Sequence, residues 1–255
     1  GDLKCWGSDA RGQLGDGGTT HDATTYTTSP SSTPVDLGPG RTAVSVSAGT
    51  NHTCAILDNG DLKCWGWDTT APPNQPIDVS YQNSGAYKPT LYPVSISISG
   101  DQTCVLLNNG DLKCRPTFDY INNVPTLHLV GAPIDLGRGL TAVDVSVGDH
   151  HTCAILDNGL LKCWGRDDYG QLGDGPSTYG RQGDGDPLVE PSIFPIDLGP
   201  GRTAVAVSAG SLHTCAILDS GDVECWGLGA SGQLGGTDPT HGANGTDPHT
   251  TEPSS

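Results

Sequence analysis

Eight of the nine cysteines stand in pairs ten residues apart: Cys54 with Cys64, Cys104 with Cys114, Cys153 with Cys163, and Cys215 with Cys225. Each pair brackets a turn sequence such as Asp58-Asn59-Gly60, where glycine suits the positive φ of a tight hairpin loop. With Asn59 at the apex, Leu57 faces Asp61, Ile56 faces Leu62 and Cys54 faces Cys64. Directly opposed antiparallel residues have Cα atoms about 4.5 or 5.5 Å apart, inside the range a disulfide tolerates. Zinc sites mostly use ligands about two to four residues apart, so the spacing favours a disulfide over a metal. Each small stapled loop contributes roughly 2 to 3 kcal/mol on the chain-entropy model. Persistent disulfides imply an oxidising compartment, which places the chain at the cell surface or in the extracellular medium. Cys5 is unpaired within the segment; the same spacing puts its partner before Gly1, so the polypeptide is expected to continue in that direction.

The other reactive side chains point to no catalyst. His52, His151 and His213 share one slot beside the first cysteine of a pair, and Gln102 fills it in the remaining copy. A residue recurring in this way is expected to be a structural hydrogen-bonder at a strand start. His150 and His151 beside Asp149 form one local cluster, too little to assign a metal. Asp174 near Asp167 and Asp168, and the "GDGDP" of Gly183 to Pro187, could offer oxygens to calcium, yet no EF-hand spacing accompanies them and they are read as solvated loops. Calcium binding by these loops stays open. Walker, nucleophile-elbow and dinucleotide fingerprints are absent. No catalytic residue, metal or cofactor is therefore assigned, and the chain is expected not to be an enzyme. Asn51 in "NHT" and Asn244 in "NGT" are glycosylation sequons, and the linkers "TTYTTSPSSTP" and "TDPTHGANGTDPHTTEPSS" suit O-linked sugar. Covalent glycans are expected at these places.

These residues need a scaffold that repeats. The second cysteine of each hairpin falls at Cys5, Cys64, Cys114, Cys163 and Cys225, at intervals of 59, 50, 49 and 62 residues. A period near fifty suits a four-stranded propeller blade. Each fuller unit reads as a strand start "PVDL" or "PIDL", a turn such as "GPGRT", a strand "AVSVSAG" and then the hairpin. Alternation puts Cys54, Ile56, Leu62 and Cys64 on one face and Ala55, Leu57 and Trp65 on the other. Both faces are apolar, so each sheet must be covered on both sides, as in radially stacked blades; a sandwich or solenoid is the weaker alternative.

Composition agrees with an all-β chain. The 37 glycines and 19 prolines among 255 residues argue against long helices. No stretch approaches the roughly 18 apolar residues of a membrane span. A net charge of -17 repels phosphate backbones, so nucleic acid is not an expected partner. The chain contains no Met and no signal-peptide pattern, and Gly1 falls inside a copy of the repeat, as in a segment of a longer polypeptide. The expected organisation is a propeller-like array of four-stranded, disulfide-stapled blades over residues 1–227, part or fragment of a larger propeller. Residues 1–7 supply the last strand of one blade, and further blades lie at about 34–66, 93–115, 133–165 and 195–227. Residues 228–255 form a Gly/Thr/Pro-rich linker or tail.

The pattern "SAGTNHTCAILDNGDLKCWG", with "GQLGDG" at Gly12 to Gly17 and Gly170 to Gly175 and "GQLGG" at Gly232 to Gly236, resembles the repeat of the regulator of chromosome condensation family. The resemblance implies a β-propeller, typically seven-bladed, with a His and a Trp-Gly at fixed places in each blade. Four and a half hairpins are too few for such a closed ring. The second and third units lack "GQLG", and the third replaces Trp-Gly with Arg115 and Pro116. The founding member's nuclear exchange activity does not transfer to an acidic, cysteine-stapled chain. Stapled versions of the repeat resemble secreted microbial surface proteins and mastigoneme-like proteins. The expected function is a structural component of an extracellular coat, surface appendage or filament, partnered by other copies of itself or further repeats. The alternative is a secreted recognition propeller that binds a protein or glycan through its loops. Residues 1–7 and the tail do not complete one blade together, which leaves an edge able to template another strand.

Overall fold

The computed structural model describes residues 2–17, 27–66, 77–79, 91–100, 102–114, 117–121, 124–128, 132–174 and 195–235. They form fifteen strands and no helix. No helix is long and apolar enough to cross a membrane among the described residues. The chain divides into two compact units, Gly1–Asn109 with Lys113–Ala132, and Gly110–Leu112 with Pro133–Ser255.

In the first unit, β1 (Ala43–Ala48), β2 (His52–Leu57), β3 (Leu62–Gly66) and β4 (Ile77–Val79) make a four-stranded antiparallel sheet in that order. A second sheet holds β5 (Pro93–Ser99), β6 (Gln102–Leu107) and β7 (Leu112–Cys114). The separate hairpin of β8 (Thr117–Ile121) and β9 (Val124–His128) occupies a stretch that carries no repeat signal in the sequence. The second unit has two three-stranded sheets, β10 (Ala142–Val147), β11 (His151–Leu156) and β12 (Leu161–Gly165), then β13 (Ala204–Ala209), β14 (His213–Leu218) and β15 (Val223–Gly227).

The hairpins follow the expected register. Cys54 opposes Cys64 and Ile56 opposes Leu62, with the same pairing at Cys153 and Cys163 and at Cys215 and Cys225. At the first apex the Gly60 amide donates to the Leu57 carbonyl at 2.9 Å, and Gly60 takes the φ of +86° that the loop demands. The strand before each hairpin carries a bulge, because its register skips Val44, Val94, Val143 and Val205. The extra residue is pushed out of the ladder, and all four valines are exposed.

Both faces of a hairpin are covered. In the first unit Cys54, Ile56, Leu62 and Cys64 pack against Ile96, Ile98, Val105 and Leu107 of the next sheet. On the opposite face Ala55, Leu57 and Trp65 pack with Val35 and Leu37, with Leu3 and Cys5 alongside. In the second unit the Cys153–Cys163 face packs against Ala204, Ala216, Leu218 and Trp226, joined by Ile196 and Leu198.

The fourth strand differs from the sequence reading. "PIDV" supplies β4, which pairs with β3 through Cys64 and Ile77. The other copies also bond backwards along the chain, in a register two residues different: the amides of Val35, Ile134 and Ile196 donate to the carbonyls of Leu3, Leu112 and Leu161 at 2.9, 2.8 and 2.8 Å, whereas Leu62 opposes Val79. The Pro-Val/Ile-Asp-Leu segment that opens a repeat thus completes the sheet of the repeat before it. Proline cannot donate to a ladder, so the segment is confined to an edge. Its aspartate then turns the chain: Asp36, Asp135 and Asp197 each accept the amide two residues on, from Gly38, Gly137 and Gly199, at 2.9 Å.

Candidate functional site

The recurring polar side chains converge where one blade meets the next. In the second unit His151, at the start of β11, sets its Nε2 2.7 Å from Thr214 Oγ1 on β14. Thr214 donates its hydroxyl proton to the Gln171 carbonyl at 2.8 Å. A hydroxyl has one proton to give, so the histidine donates through Nε2 and carries its free lone pair on Nδ1. That Nδ1 is buried without a hydrogen-bond partner among the described residues. Burial, helped by His213 and His150 and opposed by Asp149, lowers the His151 pKa to about 4. The ring is therefore neutral at physiological pH. In the first unit the matching bond joins His52 Nε2 to Thr103 Oγ1 at 2.8 Å.

Glycine makes room for these rings. A Cβ on Gly148 would lie 2.2 Å from the Gly210 carbonyl oxygen and 2.8 Å from the His151 ring. The Gly three residues before His52 and before His151 is thus required by close approach of the neighbouring blade's backbone, a Cβ on Gly49 lying 2.6 Å from the Gly100 carbonyl oxygen, whereas one on Gly210 would meet the His213 ring.

A second tie comes from the Gly-Gln-Leu-Gly loops. The Gln171 carbonyl accepts from Trp226 Nε1 at 3.0 Å as well as from Thr214. Gln13 repeats the arrangement with Trp65 Nε1 and Thr53 Oγ1, both at 2.9 Å. The loop is held in shape from inside: Asp167 Oδ1 accepts the Leu172 amide, and Asp9 Oδ1 the Leu14 amide, each at 2.9 Å. Trp164 follows a unit that lacks this loop, and its buried indole N–H has no acceptor among the described residues. A third tie is Ser47 Oγ, which accepts the Ile98 amide at 2.9 Å; Ser146 does the same for Ala209.

Each paired cysteine is bonded to its hairpin partner, Cys54–Cys64, Cys104–Cys114, Cys153–Cys163 and Cys215–Cys225, with Cα atoms 3.9 to 4.1 Å apart. Cys5 is a half-buried thiol, and burial together with Asp16 and Asp9 raises its pKa, which makes it a poor nucleophile. The acidic candidates are turned to structural use. Asp167 points inward to Leu172, and burial, with Asp174 and Asp168 adding, raises its pKa to about 6. Asp168 pairs with Arg166. Among the described residues no group of three or more His, Cys, Asp or Glu could hold a metal. Asn51 lies in the turn just before β2, whereas Asn244, Gly183 to Pro187, Arg115 and Pro116 fall outside the described residues.

The threonine after each histidine and the glutamine carbonyl escape a reading of the sequence for reactive groups. Their signal is recurrence, since "HT" or "QT" opens every hairpin from Thr53 to Thr214.

A family model, the regulator of chromosome condensation (RCC1) repeat, matches residues 43–69, 142–171 and 204–233, and a second model of that repeat matches 158–217. Comparison with curated protein sequences gives no match. Among solved structures, the chain is similar to yeast RCC1 (Prp20) in its complex with Kap60, at 19% identity and a TM-score of 0.70 over 96% of this chain and 56% of that one. Prp20p from Saccharomyces cerevisiae, described with its binding properties to Gsp1p and histones, aligns at 18% identity and 0.64, covering 92% and 55%. Human WBSCR16 aligns at 18% and 0.61, covering 89% and 57%. The chain spans a little over half the length of each of these proteins. At such identities the likeness is one of fold, and that fold is the repeat-built β-propeller.

Proposed function

We propose that this chain, which carries repeats of the regulator of chromosome condensation family, is a non-catalytic building unit of an extracellular coat, surface appendage or filament, stapled by disulfides and carrying covalent glycans. The observation that supports this reading is how the reactive side chains are used. The two buried histidines with bonded rings, His52 and His151, and all eight paired cysteines hold hairpins or neighbouring blades together. A chain that uses this chemistry for cohesion is suited to bearing load. Disulfide pairing favours an oxidising location, and the acidic surface favours solubility there.

Surface labelling of intact cells, followed by fractionation and non-reducing mass analysis of the labelled chain, tests the reading. A surface-labelled, oxidised chain heavier than its bare polypeptide is the expected result. A chain confined to the reducing cytosol with free thiols would defeat it.

One observation favours a recognition module as the second reading. Every described bulge presents an exposed valine, Val44, Val94, Val143 or Val205, at the same place in its blade. Proteins of this fold bind other proteins, as Prp20 binds Kap60. Capture of one soluble partner, lost on changing these valines to serine, would favour recognition over the coat.

A further inference from the structure

The hairpin tips carry a chemistry that neither the disulfides nor the ties between blades use. Three of the four tips hold Asn-Gly, at Asn59-Gly60, Asn109-Gly110 and Asn158-Gly159, and the fourth has Ser220-Gly221. Glycine sets an unhindered amide nitrogen directly after the asparagine side chain. Asn59 and Asn158 are both exposed, and each turns its side chain forward along the loop. Asn59 Oδ1 accepts the Asp61 amide and Asn158 Oδ1 the Leu160 amide, both at 3.1 Å. That bond keeps the side-chain amide carbon beside the glycine nitrogen that lies between the two bonded residues.

The two tips differ in what restrains them. At the first, Asn59 Nδ2 also donates to Asp61 Oδ2 at 2.5 Å, and Arg41 pairs with Asp58 at 3.5 Å. At the third, Leu160 stands in the place of Asp61 and Leu140 in that of Arg41. The bond from Leu160 is then the one hydrogen bond of the Asn158 side chain among the described residues. The glycine of this tip also abuts the next blade. Its carbonyl accepts the Ala204 amide at 3.0 Å, and a Cβ on Gly159 would lie 2.7 Å from Thr203 Cβ.

We infer that Asn158 is a site of spontaneous deamidation, set in a tip whose glycine touches the next blade. The Gly159 nitrogen, released from the Leu156 carbonyl that it bonds at 2.8 Å, attacks Asn158 Cγ. A new C–N bond forms, the bond from Cγ to Nδ2 breaks, and the glycine amide proton leaves with the side-chain nitrogen as ammonia. Water then opens the five-membered imide. Opening at the side-chain carbonyl gives aspartate; opening at the main-chain carbonyl gives isoaspartate, with the backbone one carbon longer. No oxidant or reductant takes part. The Cys153–Cys163 disulfide closes the hairpin below the tip, so the strands stay joined while the tip reacts. Isoaspartate displaces Gly159 from its place against Thr203 and Ala204.

The reaction needs water alone, so its outcome does not depend on whether the chain belongs to a coat. Incubation of the oxidised, folded chain in mildly alkaline buffer, followed by peptide mass mapping with fragmentation, tests the inference. Asn158 should gain one mass unit and the product should accept a methyl group from an isoaspartyl methyltransferase. Asn59 should convert about two- to tenfold more slowly, the range that one further hydrogen bond spans. Leu160→Asp supplies the missing tether and should slow Asn158 by about the same factor, while Asp61→Leu should speed Asn59. Hydrogen exchange at the Ala204 amide should quicken in the isoaspartate form and not in the aspartate form. An Asn158 that converts only after reduction and unfolding, or that lags behind Asn59, would overturn the inference. So would rates at both tips that ignore the residue two places on. An Ala204 amide that exchanges alike in all forms would overturn the link to the next blade.

Discussion

The His151 imidazole and the Thr214 hydroxyl meet at 2.7 Å although 63 residues separate them along the chain. One opens the hairpin of its blade and the other belongs to the hairpin of the next, so the bond exists only when the two blades are stacked. Thr214 hands its own proton on to Gln171, and all three residues are fully buried. One hydroxyl therefore satisfies a donor from one side and an acceptor on the other.

Thr214→Val should accordingly strand the buried His151 N–H and remove one of the two bonds to the Gln171 carbonyl, which keeps the one from Trp226 Nε1, at a cost of about 2 to 4 kcal/mol. Thr103 has one such bond, to His52, and Thr103→Val should cost roughly half as much. Urea denaturation of the two variants gives the comparison. Equal losses would mean that the relay through Gln171 contributes nothing.

Acid should act on two buried groups in opposite directions. The folded pKa of His151 is lowered from 6.5 to about 4, so between those values the unfolded chain takes a proton that the folded one refuses. Stability falls as the pH drops through this window, by roughly 3 kcal/mol in all. Asp167 is raised from 3.8 to about 6, so there the folded chain takes the proton first and stability rises as the pH drops. Asp167→Asn keeps an acceptor for Leu172 and removes the buried charge. It should stabilise the chain at pH 7 by about 1 to 2 kcal/mol and expose the full His151 loss below pH 6. Parallel stability curves for variant and unchanged chain would contradict the Asp167 assignment, and a variant whose stability does not fall between pH 6 and 4 would contradict the His151 one.

Gly173 and Gly235 occupy the same place in two loops and have φ near +72° and +75°. A Cβ on Gly173 would lie 2.5 Å from Trp226 Nε1, whereas one on Gly235 meets nothing within 4 Å. Alanine at either position carries the left-handed strain of about 1 to 2 kcal/mol. Gly173→Ala should add a further loss of about 1 to 3 kcal/mol from overpacking, together with a change in Trp226 fluorescence. Matching melting curves for the two variants would remove the close packing of the loop on the indole.

Peptide mapping without reduction should find each hairpin pair linked internally, Cys54 to Cys64 and so on through Cys215 and Cys225. Replacing Cys153 and Cys163 by serine should cost about 2 to 3 kcal/mol on the chain-entropy model. Recovery of free thiols or bound zinc at these positions would defeat the argument from hairpin spacing.

The hairpins were legible because their determinants are local. The ten-residue spacing, the turn glycine and the period-two alternation fix which residues face each other without help from the rest of the chain. Blade stacking followed from two apolar faces on one sheet. The owner of the fourth strand was not legible, because Val35 stands closer in sequence to β1 than to Leu3, and a tertiary constraint decides its partner. Likewise the recurrence of His52 and His151 marked a structural role, but their threonine partners lie 51 and 63 residues away. The Gln13 and Gln171 carbonyls left no mark in their side-chain chemistry, since the backbone accepts the bonds. Asp167 reads in the sequence as part of a solvated loop, and only the fold shows its carboxylate turned inward to Leu172.

The backward bond from Ile196 to Leu161 has a consequence for how such a chain changes over generations. Each repeat lends one strand to its predecessor and borrows one from its successor, so the unit of inheritance is out of step with the unit of folding. An unequal crossover between two copies removes or adds one loan and one debt together. Every surviving blade stays complete, whatever the position of the breakpoint within the repeat, provided it is the same in both copies. Array length can therefore drift by whole repeats with no new junction to be invented.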